Sequence, residues 1–265
     1  MPPLPLRLER GLRLMDYVAF AHKVLKDQAG NNVKMASIHL AQVAHVNYAW
    51  EHGMGALINA PMAHAKTTYF AVGMPLYLLG LNPSSRIQVI CATDPLARDR
   101  VTAIRGYIEE DDDYRRVFPA VRPSKLDKLQ ARKAAWSRNR IMVARPGHAT
   151  DASIIAAGIM GSGVGTRADY QIYDDPIDQK NSRSEIGRKD IADKFKTTWM
   201  TRLEPTARWL MISTPYHQDD LNHELRKNPR VCTLIIAVSL DFKFMDYKVI
   251  NAPDDQHPLM QFRKK

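Results

Sequence analysis

The chain has 265 residues, 45% of them hydrophobic, and a formal net charge of +10. That length and apolar content fit one large domain, or one domain with a small appendage, and the charge favours a polyanionic partner, nucleic acid first and a membrane surface second. The sequence argues against membrane-spanning and secreted classes: no apolar run is long enough to cross a bilayer, Met1-Pro2-Pro3-Leu4-Pro5 lacks the apolar core of a secretion signal, and the only cysteines, Cys91 and Cys232, read as reduced structural thiols of a cytoplasmic protein.

In chain order, residues 9–27 pattern as an amphipathic helix, with Leu12, Val18, Ala19, Val24 and Leu25 toward one side and Gly30-Asn31-Asn32 breaking it. A second helix is expected over about 35–52. It carries Gln42, which could meet an adenine ring; an ordinary packed helix explains the same residues. Leu57 to Thr68 then reads as a buried strand, a tight loop and a helix that begins at Lys66-Thr67. This is the layout of a phosphate-binding loop, G-x-x-x-x-G-K-[ST], with Ala60 and Ala65 in place of the two glycines. The binding segment would be Ala60, Pro61, Met62, Ala63, His64, Ala65, Lys66, Thr67 and Thr68. Lys66 can place its charge on the β- and γ-phosphates of a nucleotide. Thr67 can give its hydroxyl to Mg²⁺, and the backbone amides at the helix start face an anion. Alanine lacks the freedom at positive φ that glycine would bring. A strand–loop–helix with a surface lysine is the alternative.

Pro75 is expected to kink or end that helix, and Gly80 to close the segment. Arg86 to Thr93 forms a strong strand, followed by a helix from Asp94-Pro95 to about Glu110. A strand–helix unit after the first one predicts a parallel sheet with helices on its faces. The acidic run 109–113 reads as a solvated helix end, and residues 122–140 as a basic helix plus loop. Two further strands are expected at 140–144 and 152–157, joined by a turn at Pro146-Gly147. A loop rich in glycine (Gly158, Gly161, Gly163, Gly165) presents Arg167. Asp169 to Pro176 is then a short strand that closes on two carboxylates, Asp174 and Asp175, and is stopped by Pro176. Such a pair suits an Mg²⁺ shell and a polarised water. Ser182 to Glu185 reads as a capping box before a helix that runs to about Leu203 and ends at Pro205. Trp209 to Thr214 is another buried strand. His217, Asp219 and His223 do not have zinc spacing. Leu234 to Val238 is a last strand before a polar tail.

Three motifs thus stand in order: Ala-Pro-Met-Ala-His-Ala-Lys-Thr, Ile-Tyr-Asp-Asp-Pro-Ile and Ile-Ser-Thr-Pro-Tyr-His-Gln-Asp-Asp-Leu. Together they resemble the ATPase domain of the large terminase subunit of tailed bacteriophages, over about residues 35–235. The stretch Gly165-Thr166-Arg167-Ala168-Asp169 resembles that family's approach to the carboxylate strand. The resemblance implies an α/β RecA-like P-loop NTPase with a mainly parallel central sheet flanked by helices. It implies ATP and Mg²⁺ as cofactors, Lys66 and Thr67 on phosphate and metal, Asp174 supporting the metal, and Asp175 activating water. Thr214 matches the coupling threonine, and Arg167 an arginine finger for a neighbouring subunit. Ala63 stands where many relatives have Arg, Ala65 where they have Gly, Pro215-Tyr216 where they have Arg-Trp, and Asp175 where other ATPases have Glu. The implied function is a motor that drives double-stranded DNA into a viral procapsid, with a helicase-like ATPase or a catalytically weak DNA-binding and assembly module as alternatives. The implied partners are double-stranded DNA, the portal protein, the small terminase subunit and further copies in a ring. The implied place is the host cytoplasm and, transiently, the portal vertex. The expected division is a helical region at 1–55, an ATPase core at 56–235 and a linker at 236–265 toward a nuclease domain that this chain does not contain.

Overall fold

The computed structural model describes residues 14–61, 65–124, 136–145, 151–162, 165–238 and 245–259. Met62, Ala63 and His64 of the phosphate-loop motif, the basic run 125–135, the turn at Pro146-Gly147 and Gly163 lie outside the described residues. Alternating apolar residues build the centre. On β1 (Gly55–Asn59), Ala56 and Ile58 face one side and Leu57 the other; on β2 (Ile87–Cys91) the same holds for Val89 and Ile90. A strand buried on both faces reads as a continuous apolar run, and these two do.

The sheet has eight strands in the order β3-β4-β2-β5-β6-β1-β7-β8. The others are β3 (Arg140–Ile141), β4 (Ile154–Gly158), β5 (Ala168–Asp174), β6 (Leu203–Ser213), β7 (Val231–Val238) and β8 (Met245–Ile250). The six central strands are parallel, and β3 and β8 join the edges antiparallel. Helices cover both faces. On one side lie α1 (Leu14–Val24), α2 (Ser37–Glu51), the helix that follows β1, and α4 (Asp94–Glu110) with the short α5 (Asp112–Val117). On the other lie α6 (Glu185–Lys194) and α7 (Leu221–Arg226).

Several local expectations change in the structure. Pro75 neither ends nor breaks its helix. Residues Thr67–Gly73 form a wide turn in which the Met74 amide donates to Tyr69 O, five residues back, and this runs directly into α3 (Met74–Leu81). The widened turn shifts the hydrogen-bond ladder where proline has no N–H to offer. Pro205 lies inside β6, which starts six residues earlier than expected. Between Ala168↔Leu203 and Tyr170↔Arg208 the pairing advances two residues on β5 and five on β6. Pro205 sits in that bulge, where no ladder bond is required of it. The cap of α6 is Ser184, whose Oγ accepts the Gly187 amide at 3.0 Å, rather than Ser182. The acidic run is structural: Asp111 caps α5 by accepting the Tyr114 amide, and Asp113 pairs with Lys26 at 3.1 Å.

Residue 235 lies inside β7, and β8 pairs with β7 from Thr233↔Ile250 to Val238↔Met245. After β8 the chain turns back. Buried His257 and Leu259 reach the side of the sheet that α2 covers. α1 and α2 share that same core with β1 and β2.

Candidate active site

The carboxyl ends of β1, β5 and β6 lie side by side, because β6 is inserted between the other two. In an open parallel sheet, ligands bind at these ends. Here the ends deliver, from neighbouring positions, the loop from Ala60, the pair Asp174-Asp175, and Thr214.

Lys66 is 5% exposed, which is unusual for a lysine and requires partners. Its ammonium donates to Ala60 O and to Thr214 Oγ1, each at 3.1 Å, and lies 3.7 Å from Asp175 Oδ1. Thr214 ties the three strand ends together. Its hydroxyl donates to Ala60 O at 3.3 Å and its amide to Asp175 Oδ1 at 3.0 Å. Thr67, in the first turn after the loop, donates its hydroxyl to both Asp174 oxygens, at 3.2 and 3.0 Å. Ala65 has φ +49° and Asp175 φ +44°. Both are left-handed conformations that cost a residue with a side chain about 1 kcal/mol or more, and such strain gathers at functional sites.

Asp174 is 2% exposed, whereas the Asp175 side chain is 41% exposed. Burial pushes the Asp174 carboxyl above the usual range, and the Arg100 guanidinium beside it pulls the other way. Arg100 Nε sits 2.9 Å from Asp174 Oδ2. Arg100 is a contributor that sequence reading missed, because only the packing of α4 over the sheet brings it to Asp174. A buried carboxylate held by a hydroxyl and a guanidinium has the donor set and charge for a hard cation. Arg100 stands where such a cation would supply the positive charge. The residues present therefore fit Mg²⁺ and a nucleotide phosphate.

The motif after β6 has a structural role as well. Asp220 caps α7, accepting the amides of His223 at 3.2 Å and Tyr216 at 3.0 Å. From α7, Asn222 Oδ1 accepts from Asn59 Nδ2 at 3.0 Å, and Arg226 Nε donates to Asn59 Oδ1 at 2.8 Å. Asn59 is the last residue of β1, so α7 is anchored to the strand that feeds the loop.

Other expected residues lie apart. Gln42 takes no part in the Lys66 cluster. It is fully buried on α2, and neither amide atom is hydrogen-bonded among the described residues. Arg167 is exposed at the start of β5, the opposite end from Asp174. Seven residue steps at ~3.3 Å each put roughly 23 Å between them. Asp169 does not hold Arg167. It is held by Arg86, with Nη2–Oδ1 at 2.8 Å and Nε–Oδ2 at 3.1 Å.

No protein-family model and no curated protein matches the chain. Among solved structures, it is similar to the crystal structure of the HK97 bacteriophage large terminase. The TM-score is 0.57 and the identity 14%, over 86% of this chain and 45% of that one. The chain is a RecA-like α/β domain. It spans less than half of the terminase it resembles, and at this identity the likeness establishes the fold. A second structure, S. cerevisiae dbp5 bound to nup159, gle1, ip6 and adp, aligns at a TM-score of 0.45 and 15% identity over 86% of this chain and 52% of that one.

Proposed function

We propose that this RecA-like domain hydrolyses ATP and is the motor domain of a viral DNA-packaging terminase, moving double-stranded DNA into a procapsid. The observation that carries the reading is the convergence of Lys66, Thr67, Asp174, Asp175 and Thr214 at three adjacent strand ends. Lys66 turns from Ala60 O to the β- and γ-phosphates. Thr67 and Asp174 would hold Mg²⁺, with the Asp174 carboxylate turned from Arg100 to the ion. When bound, such an ion would neutralise phosphate charge. Asp175 keeps one oxygen on the Thr214 amide and turns the other to a water, whose proton it accepts as the water attacks. Thr214, bonded to the loop, to Lys66 and to Asp175, passes the change at the phosphates to α7 through the 215–220 turn. Ala60, Pro61, Met62, Ala63, His64, Ala65 and Thr68 complete the phosphate loop in this reading. Gln42, with its amide unbonded, is the proposed adenine contact.

The proposed partners follow from the same reading: double-stranded DNA met by a chain of charge +10, a portal protein, a small terminase subunit and further copies of this chain in a ring. Its place would be the host cytoplasm and the portal vertex. No helix of the described residues is long and apolar enough to cross a membrane. A helicase-like ATPase and a DNA-binding or assembly module with little turnover are the rival readings. A third-strand displacement assay distinguishes them. A packaging motor strips a third strand from duplex DNA when ATP is supplied and leaves the duplex paired. Release of single strands points to the helicase. ATP-independent DNA binding with no displacement points to the assembly module.

A further inference from the structure

Far from the phosphate loop, three side chains with metal-ligating atoms meet in the core. His45 comes from α2, Cys232 from β7 and His257 from the segment after β8. All three are buried, and their ligand atoms lie within 4.8 Å of one another. We propose that His45, Cys232 and His257 bind a divalent transition-metal ion of the Zn²⁺ type, which clips the C-terminal segment to α2 and β7.

Two nitrogens and one sulfur are a donor set that favours Zn²⁺ over the hard cations of a phosphate site. The hydrogen bonds bear on how ready each ligand is. Leu259 N–H donates to His257 Nδ1 at 3.2 Å, so His257 carries its proton on Nε2. That Nε2 lies 3.0 Å from His45 Nδ1, which therefore accepts. His45 thus has its proton on Nε2. This atom has no hydrogen-bond partner among the described residues. A ring that carries its proton on Nε2 is in the tautomer that an Nδ1 ligand requires.

Burial keeps both rings neutral, His45 lowered to about 3 and His257 to about 4, and pushes the Cys232 thiol up to about 12. Binding therefore proceeds with a defined proton balance. The Cys232 S–H gives its proton to solvent as sulfur bonds the metal. His257 loses its Nε2 proton and regains one at Nδ1, where the Leu259 amide must turn away. One proton is released in all. Donor atoms in a tetrahedral N/S shell lie roughly 3.3–3.6 Å apart, so the two ring nitrogens, 3.0 Å apart here, separate slightly on binding. A surface groove lined by Asn47, Tyr48, His52, Gln256 and Pro258 borders the segment that carries His257. The Tyr48 ring stands against His257, with centroids 4.6 Å apart.

The test uses the full chain, stripped with chelator and titrated with Co²⁺ and then Zn²⁺. We expect one Co²⁺ per chain with a sulfur-to-cobalt charge-transfer band, displaced by Zn²⁺. Cys232→Ser should lose the band and bind Zn²⁺ at least tenfold more weakly, whereas Cys91→Ser should keep both. Oxygen ligands at Thr67 and Asp174 give no such band, so failure here leaves the nucleotide site untouched. Folded wild-type chain that shows no charge-transfer band, or a band unchanged in Cys232→Ser, overturns the proposal. Because the first readout needs no variant, a Cys232→Ser chain that does not fold leaves the test intact.

Discussion

Ala65 occupies the position of the second glycine in a phosphate loop and adopts φ +49°, a left-handed conformation that glycine would take without strain. The sequence showed which residue departs from the pattern. It could not show whether the loop would follow, since alanine at that φ is strained but allowed. Ala65→Gly removes this strain, partly offset by the greater freedom of glycine in the unfolded chain. We expect it to raise stability by about 0.5–1 kcal/mol, the reverse of the usual penalty for glycine in regular structure. Urea unfolding measures it, and a loss of stability would mean that the loop does not need this conformation. Lys66, Thr67, Asp174 and Asp175 stood out in the sequence because a strand–loop–helix and a strand ending in two carboxylates are local patterns, whereas Thr214 was marked only by the family resemblance. Arg100 was not, because its partner Asp174 is 74 positions away and is reached only through packing.

At the scale of elements, β1 positions the loop and is itself positioned by close packing. A Cβ on Gly55 would lie 2.0 Å from the Trp209 indole. Gly106, inside α4, has nothing within 4 Å of a Cβ. Gly55→Ala should therefore cost about 1–3 kcal/mol through overpacking, and Gly106→Ala should stabilise by about 0.5–1 kcal/mol through helix propensity. Thermal unfolding of the two variants side by side checks both signs; equal effects would contradict the packing at β1. The central strands were readable because each is an apolar run flanked by turn residues. The edges were not. β8 (Met245–Ile250) is short and half polar, so its sequence does not separate it from a tail, and only pairing with β7 defines it. Pro205 misled in the same way. A proline after a helical pattern suggests a stop, and the bulge that admits it into β6 depends on β5, a partner more than 30 residues away.

On the scale of the whole molecule, Arg167 is exposed at the end of β5 opposite the phosphate loop, roughly 23 Å from Asp174 at ~3.3 Å per residue, so within one chain it cannot reach the phosphates that Lys66 would hold. If it serves as a finger, it serves a neighbour. Mixing Arg167→Ala chains with Lys66→Ala chains should then restore turnover that neither has alone, since one supplies a finger and the other a working nucleotide site. Such arginines contribute about 10³–10⁵ in rate. No recovery in mixtures shown to co-assemble assigns Arg167 a structural role. The central claim is that the cluster at the ends of β1, β5 and β6 binds and hydrolyses ATP. Its most direct test is single-turnover hydrolysis of Mg-ATP by assembled chain, beside nucleotide binding by the same samples. The account predicts that Asp175→Asn binds Mg-ATP as wild type does and cleaves it about 10²–10⁴ more slowly, while Lys66→Ala loses the binding itself. Wild-type cleavage by Asp175→Asn, or undiminished binding by Lys66→Ala, would contradict it.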